Sequence, residues 1–165
     1  MDSLLRPLLD APAVVVYLVC GLLITAETAL LPGIVLPTLS TLLLMGFLAE
    51  RGTLHLGLAF AVAVLSAVLG DQLAYLEGRR WGRRLARRVG QDRWDRAEVA
   101  VARYGLPAVI AGRCLAGVRT LVPRVAGSAA MPYRRFAVGS VCAAVLWASA
   151  ELLVGHLTAL VTPAS

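Results

Sequence analysis

The sequence of 165 residues contains no lysine, and it has few cysteines, histidines and charged residues of any kind. Without lysine it lacks the phosphate-binding loop of P-loop proteins, and it also lacks the GxSxG and HExxH motifs of hydrolases. The three cysteines have no CxxC spacing, so we predict that Cys20, Cys114 and Cys142 are small buried apolar side chains. We therefore expect neither an enzyme nor a cofactor nor a metal site.

The low share of charge excludes an ordinary soluble domain. Only 16% of the residues are charged, against about 25% in a typical soluble domain, while 59% are hydrophobic and the mean hydropathy is +0.77. We therefore predict a single integral membrane domain over residues 1–165. Four apolar blocks lie at residues 11–49, 52–76, 104–131 and 136–162. A membrane span needs about 20 apolar residues, so the first and third blocks are too long or too interrupted to be single helices.

The N-terminal stretch MDSLLRPLLD contains one arginine, two aspartates and no small-residue cleavage pattern at the expected distance. It does not fit a cleavable signal peptide. We interpret it as a short interfacial lead into the first span.

The positive charge is concentrated in residues 79–103, where nine arginines face three acidic residues. Such an excess in a short loop marks the cytoplasmic side of a membrane. Trp81, Leu85 and Val89 recur every four residues, which predicts an amphipathic helix lying in the headgroup plane against anionic lipids. A nucleic-acid patch is the competing interpretation of so basic a stretch, but between two membrane blocks we predict no nucleic-acid partner.

This orientation determines the topology of the third block. The span 52–76 must run inward, and the span 136–162 must run outward from the cytoplasmic pair Arg134 and Arg135. A single crossing by residues 104–131 would place both arginines outside. We therefore predict that this block enters and leaves by the cytoplasmic face as a re-entrant hairpin.

The first block gives the matching prediction on the opposite face. Residues 11–26 form a span, and residues 27–49 dip back from the external side as another re-entrant hairpin, broken at Pro32, Gly33 and Pro37. Gly117 and Pro123 are the corresponding breaks in the second hairpin. Broken backbone at membrane depth is tolerated only where protein buries it or where it lines a wet cavity.

The predicted fold class is therefore an all-α membrane protein. It is a helical bundle with two oppositely oriented re-entrant helical hairpins, forming an inverted repeat, and an amphipathic cytoplasmic interfacial helix. Two interrupted segments in matching positions indicate a transporter whose site lies where they meet.

Three arginines lie in the apolar stretch GRCLAGVRTLVPRVAG, where each charge costs several kcal/mol. Arg113 and Arg119 would be about 120° apart on one straight helix, but a break near Gly117 would let both point at one phosphate group. The phosphate would supply the counter-charge that makes the arginines tolerable. Arg124 is a third candidate ligand, or lies at the cytoplasmic rim. Structural clamping of backbone carbonyls is the alternative role for the first two.

Two carboxylates lie in the same apolar setting. Glu27 either binds a proton and gates the site or pairs with an arginine to hold the hairpins together. Asp71 either takes part in transport or caps and pairs near the inner end of its span.

Three motifs together resemble the DedA family of membrane proteins, also called the SNARE-associated or VTT-domain family. They are ETALLPGIVLP, GDQLAYLEGRRWG, and the run from RYGLPAVIAGRCLAGVRTLVPRVAGSAAMPYRRFAVGSV through Trp147, and the match covers residues 20–155. The resemblance implies two facing hairpins and lipid transport. It implies that the protein recycles a polyprenyl phosphate, such as undecaprenyl or decaprenyl phosphate, across the cytoplasmic membrane of a bacterium, often with dependence on the proton gradient.

The resemblance also implies roles for single residues. The essential acidic position of the family falls on Glu27, and its two essential arginines fall on Arg113 and Arg119. One departure matters: Pro37 is followed by Thr38 and Leu39, where proton-dependent members have glycine and then a carboxylate. A mechanism with two carboxylates in the first hairpin is therefore not supported.

The function expected from the sequence is a flippase that moves a polyprenyl phosphate from the outer to the inner leaflet. A phospholipid scramblase and a proton-coupled exchanger of small cations are the alternatives, and a membrane phosphatase is the enzymatic rival. The exchanger would tolerate loss of the arginines better than loss of Glu27. A homodimer is compatible with the sequence.

Overall fold

In a computed structural model of the protein, the described residues are 12–29, 38–50, 52, 54–115 and 118–161. Within these ranges the secondary structure is helical, which confirms the predicted all-α class. The helices are α1 (Ala13–Ala29), α2 (Thr38–Glu50), α3 (Leu56–Val89), α4 (Gln91–Tyr104), α5 (Leu106–Cys114), α6 (Leu121–Ser128) and α7 (Tyr133–Val161). The breaks predicted at Pro32, Gly33, Pro37 and Gly117 lie outside the described residues.

Two of the helices, α3 and α7, have the length and apolar composition of membrane spans, while α1 and α2 are apolar but shorter. The two long helices pack antiparallel. The ring of Tyr75 stacks on Phe136 with centroids 4.6 Å apart, and the side chains of Phe60 and His156 line one cavity at the other end of the pair. Between these ends, alanines of both helices form one buried cluster, which allows the close approach typical of membrane helices.

Four shorter helices pack on this pair, two on each long helix. Helix α1 lies on α3 and α2 on α7, whereas α5 lies on α7 and α6 on α3. A Cβ on Gly155 would overlap the backbone of Leu43 in α2, and a Cβ on Gly78 would overlap the backbone of Arg124 in α6. Because Gly155 and Gly78 lie at opposite ends of the antiparallel pair, α2 and α6 pack at opposite ends of the bundle.

Helices α1 and α5 both end near the middle of the long pair. Val16 packs beside Ala59 near the start of α3, and the chain then runs to Thr28, which lies against Gly70. From the other end, Val109 of α5 packs on Gly139, and Arg113 reaches Asp71. The two interrupted segments therefore converge from opposite directions, and their re-entry into a membrane stays a prediction.

The arginine-rich segment differs from the expected interfacial helix. Helix α3 continues from the apolar block to Val89, with non-helical dihedrals at Trp81 (φ −128°, ψ 19°). Trp81 is 49% exposed and lines one cavity with Leu85, but Leu85 is itself buried in the protein core, so the expected stripe is partly covered by the protein. Gly90, at φ 104°, turns the chain into α4, and this turn folds the segment back onto the protein.

Helix α4 buries Trp94, Ala97 and Val101, whose spacing of three and four residues places them on one face. They join the core cluster that includes Val125 of α6. The apolar face of α4 is therefore used for packing within the protein.

The prediction for the cysteines is right for Cys20, which is buried, and wrong for Cys142, which is exposed. Cys142 lies on α7 next to Val141, on a surface that also exposes Val138 and Val145. An apolar outward face is expected of a helix that contacts lipid, so burial in the protein was not required there. The side chain of Cys114 lies outside the described part of the chain.

Candidate functional site

Four charged residues meet near the middle of the bundle. Glu27 comes from the last turn of α1, Asp71 from the middle of α3, Arg113 from the end of α5, and Arg119 from the turn that precedes α6. Glu27, Asp71 and Arg113 are buried. Because charges are stable away from water only when they are paired, the contacts among these four residues decide the chemistry of the site.

Arg113 pairs with Asp71. Its Nη1 lies 2.5 Å from Oδ2 of Asp71, and the hydroxyl of Ser140 donates to the same oxygen at 2.7 Å. The guanidinium carbon also lies 5.2 Å from the centroid of the Trp147 ring, within the range of a cation–π interaction. Residues from α3 and α7 therefore hold this arginine of α5 in place.

The Arg113–Asp71 pair has unused hydrogen-bonding capacity. In the part of the chain that the structure describes, Oδ1 of Asp71 and Nε of Arg113 are buried with no hydrogen-bond partner. Each such group costs about 1–3 kcal/mol. A donor and an acceptor are thus available to a ligand that approaches this pair.

Arg119 pairs with Glu27, which links the turn before α6 to the end of α1. The carboxylate is almost completely enclosed, whereas the side chain of Arg119 is 20% exposed. Arg119 is therefore the member of the pair that an approaching ligand would meet first.

Arg113, Arg119 and Glu27 line one narrow cavity. Its other walls come from Ile24, Thr28, Thr120 and Trp147. The two guanidiniums thus share one cavity although they belong to different structural segments, since α5 ends at Cys114 and the chain turns before α6 begins. The volume, about 10 Å³, has room for about one water molecule, so the site is closed around its own ion pairs.

Arg124 is held differently. Its side chain is fully buried, and its guanidinium donates to the carbonyl of Thr120 at 2.5 Å, to the carbonyl of Ala29 at 2.7 Å and to the carboxylate of Glu77 at 3.0 Å. Arg124 is not among the residues that line the cavity. The carbonyl of Ala29 belongs to the last turn of α1, where backbone acceptors are left over and a cation is favourable.

Pro123 lies in the first turn of α6, two residues after its start. A proline there removes a backbone donor that has no intrahelical acceptor, so it is compatible with a continuous helix. The break between the two helices of this segment lies between the end of α5 and the start of α6.

Glu151 of α7 is a further charged residue near the site, and the sequence analysis did not single it out. Trp147, one turn earlier, and the charge of Arg119 both influence its carboxylate, and its Oε2 is buried without a hydrogen-bond partner among the described residues. A single carboxylate inside a long apolar helix, one turn after a tryptophan, is the signal that could have identified it.

A family model and several known membrane proteins match this chain. The model of the VTT-domain family matches residues 36–157. The inner membrane protein YghB of Escherichia coli is 34% identical over 156 residues, which cover 89% of this chain and 69% of YghB. The inner membrane protein YohD of the same organism is 33% identical over 116 residues, covering 69% and 60%. A membrane protein of Mycobacterium tuberculosis is 34% identical over 161 residues, covering 91% and 69%. No solved structure gives a significant match.

Proposed function

This chain belongs to the VTT-domain, or DedA, family of membrane proteins, and from that premise we propose that it is a lipid transporter. Its proposed cargo is a polyprenyl phosphate, such as undecaprenyl or decaprenyl phosphate, moved from the outer to the inner leaflet of the bacterial cytoplasmic membrane for envelope synthesis. The observation that carries the proposal is that the guanidiniums of Arg113 and Arg119 line one enclosed cavity between the two interrupted segments.

A phosphate monoester suits these two arginines. It offers several oxygens to planar donor forks, and it carries a charge of about −1.5 to −2. Arg113 has a buried Nε without an acceptor among the described residues, so it can bind an oxygen without giving up its contact with Asp71. Arg119 is partly exposed and would make the first contact.

The charge balance of the site supports coupling to protons. Arg113 and Arg119 together carry two positive charges, and their partners Asp71 and Glu27 carry two negative charges. A phosphate that entered this neutral site would leave an excess of about two negative charges in a nonpolar surrounding. Uptake of protons by the carboxylates reduces that excess. Glu27 is the first candidate, because its protonation releases Arg119 to the phosphate.

A further carboxylate is available for the second proton. The acidic residue expected after Pro37 is absent from the sequence, but Glu151 reaches the neighbourhood of Arg119 from α7. Asp71 is the other candidate, although its Oδ2 already accepts bonds from Arg113 and Ser140. An ionised Glu151 would add a third negative charge to the site, so we assign it a proton as well, which leaves the loaded site with a net charge of about −1.

The closed cavity also defines the conformational step. A volume of about 10 Å³ holds about one water molecule and cannot admit a phosphate group, so loading requires the ends of α1 and α5 to separate. Arg124 holds the backbone next to Glu27 and the backbone next to Arg119 at the same time. Its proposed role is to position these two segments, and the phosphate is left to Arg113 and Arg119.

The test is a transport assay in liposomes. A labelled polyprenyl phosphate is placed in one leaflet, and its accessibility is followed with and without a pH gradient for the wild type and for Glu27→Gln, Arg113→Ala and Arg119→Ala. Asp92→Asn and Arg134→Gln are matched controls, because both residues are exposed and lie away from the cavity. We expect loss of transport in the three site variants and wild-type rates in the controls.

Other outcomes would identify a different function. Wild-type movement no faster than in empty vesicles would refute lipid transport. Movement that ignores the pH gradient and accepts ordinary phospholipids would indicate a scramblase. A small-cation exchanger would move no lipid, and its proton-driven cation flux would be lost in Glu27→Gln and kept in both arginine variants.

A further inference from the structure

A second positively charged cavity lies away from the buried site, at the kink of α3. It has a volume of about 590 Å³ and is lined by residues 78–84 of α3 and by Ser128 at the end of α6. Four of these residues are arginines, namely Arg79, Arg80, Arg83 and Arg84. We call this cavity the arginine hollow. It shares no lining residue with the cavity that contains Arg113 and Arg119.

The local backbone explains why the hollow forms. Glycines at positions 78 and 82 let α6 approach α3 so closely that a Cβ on Gly82 would lie 2.6 Å from the hydroxyl oxygen of Ser128. The non-helical dihedrals of Trp81 interrupt α3 between the two glycines, with Arg79 and Arg80 before the interruption and Arg83 and Arg84 after it. The hollow therefore has a polar hydroxyl on the α6 side and guanidiniums on the α3 side.

The arginines of the hollow have no carboxylate partner of their own among the described residues: Glu77 lines an adjoining cavity with Arg84 but is paired with Arg124. No carboxylate lines it, and none of its four arginines forms an ion pair with an acidic residue in the described ranges. Arg79 donates to the hydroxyl of Tyr75 at 3.3 Å, which is a neutral acceptor. By contrast, the arginines of the buried site each face a carboxylate.

We propose that the arginine hollow is a binding site for a phosphate or diphosphate group, separate from the proposed transport site. Planar guanidinium forks match phosphate oxygens in pairs, and several arginines together match a group that carries two or more negative charges. The hollow is within the usual range of ligand-binding cavities, roughly 300–1,000 Å³, so it has room for a diphosphate or for a lipid headgroup. The source of the phosphate is either a membrane lipid or a soluble compound.

Calorimetric titration of inorganic pyrophosphate into the full-length protein, held in phosphatidylcholine nanodiscs, tests the proposal. We expect saturable binding of one pyrophosphate per chain. The variant R80Q/R83Q should bind at least about tenfold more weakly, since it removes two charge-assisted hydrogen-bonding groups. The variant R80K/R83K keeps the charge but loses the donor forks. Its affinity should lie between that of the wild type and that of R80Q/R83Q.

The matched control is R87Q/R93Q, which removes the same charge from exposed positions outside the hollow. It should change the affinity by less than about threefold, because distant surface charges are screened by salt. Equal weakening by R80Q/R83Q and R87Q/R93Q would overturn the proposal, since it would show attraction to the basic segment as a whole. Absence of saturable binding would also overturn it.

Two further measurements distinguish a lipid headgroup from a soluble ligand, and the hollow from the buried cavity. If nanodiscs that contain phosphatidic acid weaken pyrophosphate binding by competition, the ligand is a lipid headgroup. If they do not, the ligand is a soluble phosphate compound. Both results support a site in the hollow. Arg119→Ala is titrated beside R80Q/R83Q to distinguish the buried cavity from the hollow. Binding that is lost in Arg119→Ala but retained in R80Q/R83Q would assign it to the buried cavity and refute the hollow, whatever the outcome of the transport assay.

Discussion

Asp71 and Arg113 are 42 positions apart in the chain, and Nη1 of the arginine lies 2.5 Å from Oδ2 of the aspartate. This contact joins the middle of α3 to the end of α5 inside the bundle. Because both side chains are buried, each is the main neutralising partner of the other.

Asp71→Asn should therefore destabilise the protein by about 3–5 kcal/mol, since it leaves Arg113 as a buried charge without a counter-ion. Ser140→Ala removes only the second hydrogen bond to the same carboxylate oxygen and should cost about 1 kcal/mol. Unfolding by denaturant in a mild detergent measures both. Equal stability of Asp71→Asn and the wild type would contradict the pairing.

Glu27 and Arg119 should behave as a coupled pair. A double-mutant cycle with Glu27→Gln and Arg119→Gln is expected to give a coupling free energy of at least about 1 kcal/mol in the stability of the protein. The cycle of Glu27→Gln with Arg134→Gln is the control, because Arg134 is exposed at the start of α7. Additive effects in the first cycle would show that the contact contributes nothing.

Arg124 should be irreplaceable by lysine. A lysine keeps the charge but cannot reach the carbonyls of Thr120 and Ala29 and the carboxylate of Glu77 with one planar group. We expect Arg124→Lys to lower the stability by about 2–4 kcal/mol, since several buried acceptors lose their donor. Glu77→Gln should cost less, because its side chain is 30% exposed. Thermal unfolding measures the loss of stability in both variants. A smaller loss in Arg124→Lys than in Glu77→Gln would contradict this role.

Close helix contacts should make two glycines sensitive to a single methyl group. A Cβ on Gly78 or on Gly127 would overlap the backbone of the opposing helix, so alanine at either position should cost at least about 1–3 kcal/mol. Gly57→Ala is the matched control, because its Cβ would meet only the His55 ring at an ordinary contact distance of 3.4 Å. A stable Gly78→Ala protein would mean that α3 and α6 are further apart than described.

Glu151 should influence proton coupling without holding the fold. Glu151→Gln keeps the size and polarity of the side chain but cannot take up a proton. In the liposome assay we expect a smaller stimulation of transport by the pH gradient, with stability close to that of the wild type. An unchanged response to the gradient would assign the second proton to another group, and Asp92→Asn serves as the control for a lost surface carboxylate.

Much of the architecture could be read from the sequence, and the exceptions have local causes. The apolar blocks predicted the helices, and three of the charged residues singled out inside those blocks, Glu27, Arg113 and Arg119, line one cavity. The stripe of Trp81, Leu85 and Val89 was interpreted as membrane-facing, whereas Leu85 is buried in the protein, because the kink at Trp81 and the turn at Gly90 fold this segment back. Amphipathic periodicity indicates which face is apolar, and it does not say what covers that face.

The sequence by itself determined that the chain is an α-helical membrane protein with charged groups inside apolar segments, because composition and hydropathy depend only on which residues are present. The tertiary structure decided which charges neutralise each other. Arg119 could have paired with either buried carboxylate, and it is paired with Glu27, 92 positions away, because α1 and the turn before α6 meet at the middle of α3. Electrostatic energy depends on distances between groups, and for residues so far apart along the chain those distances are set only when the helices pack.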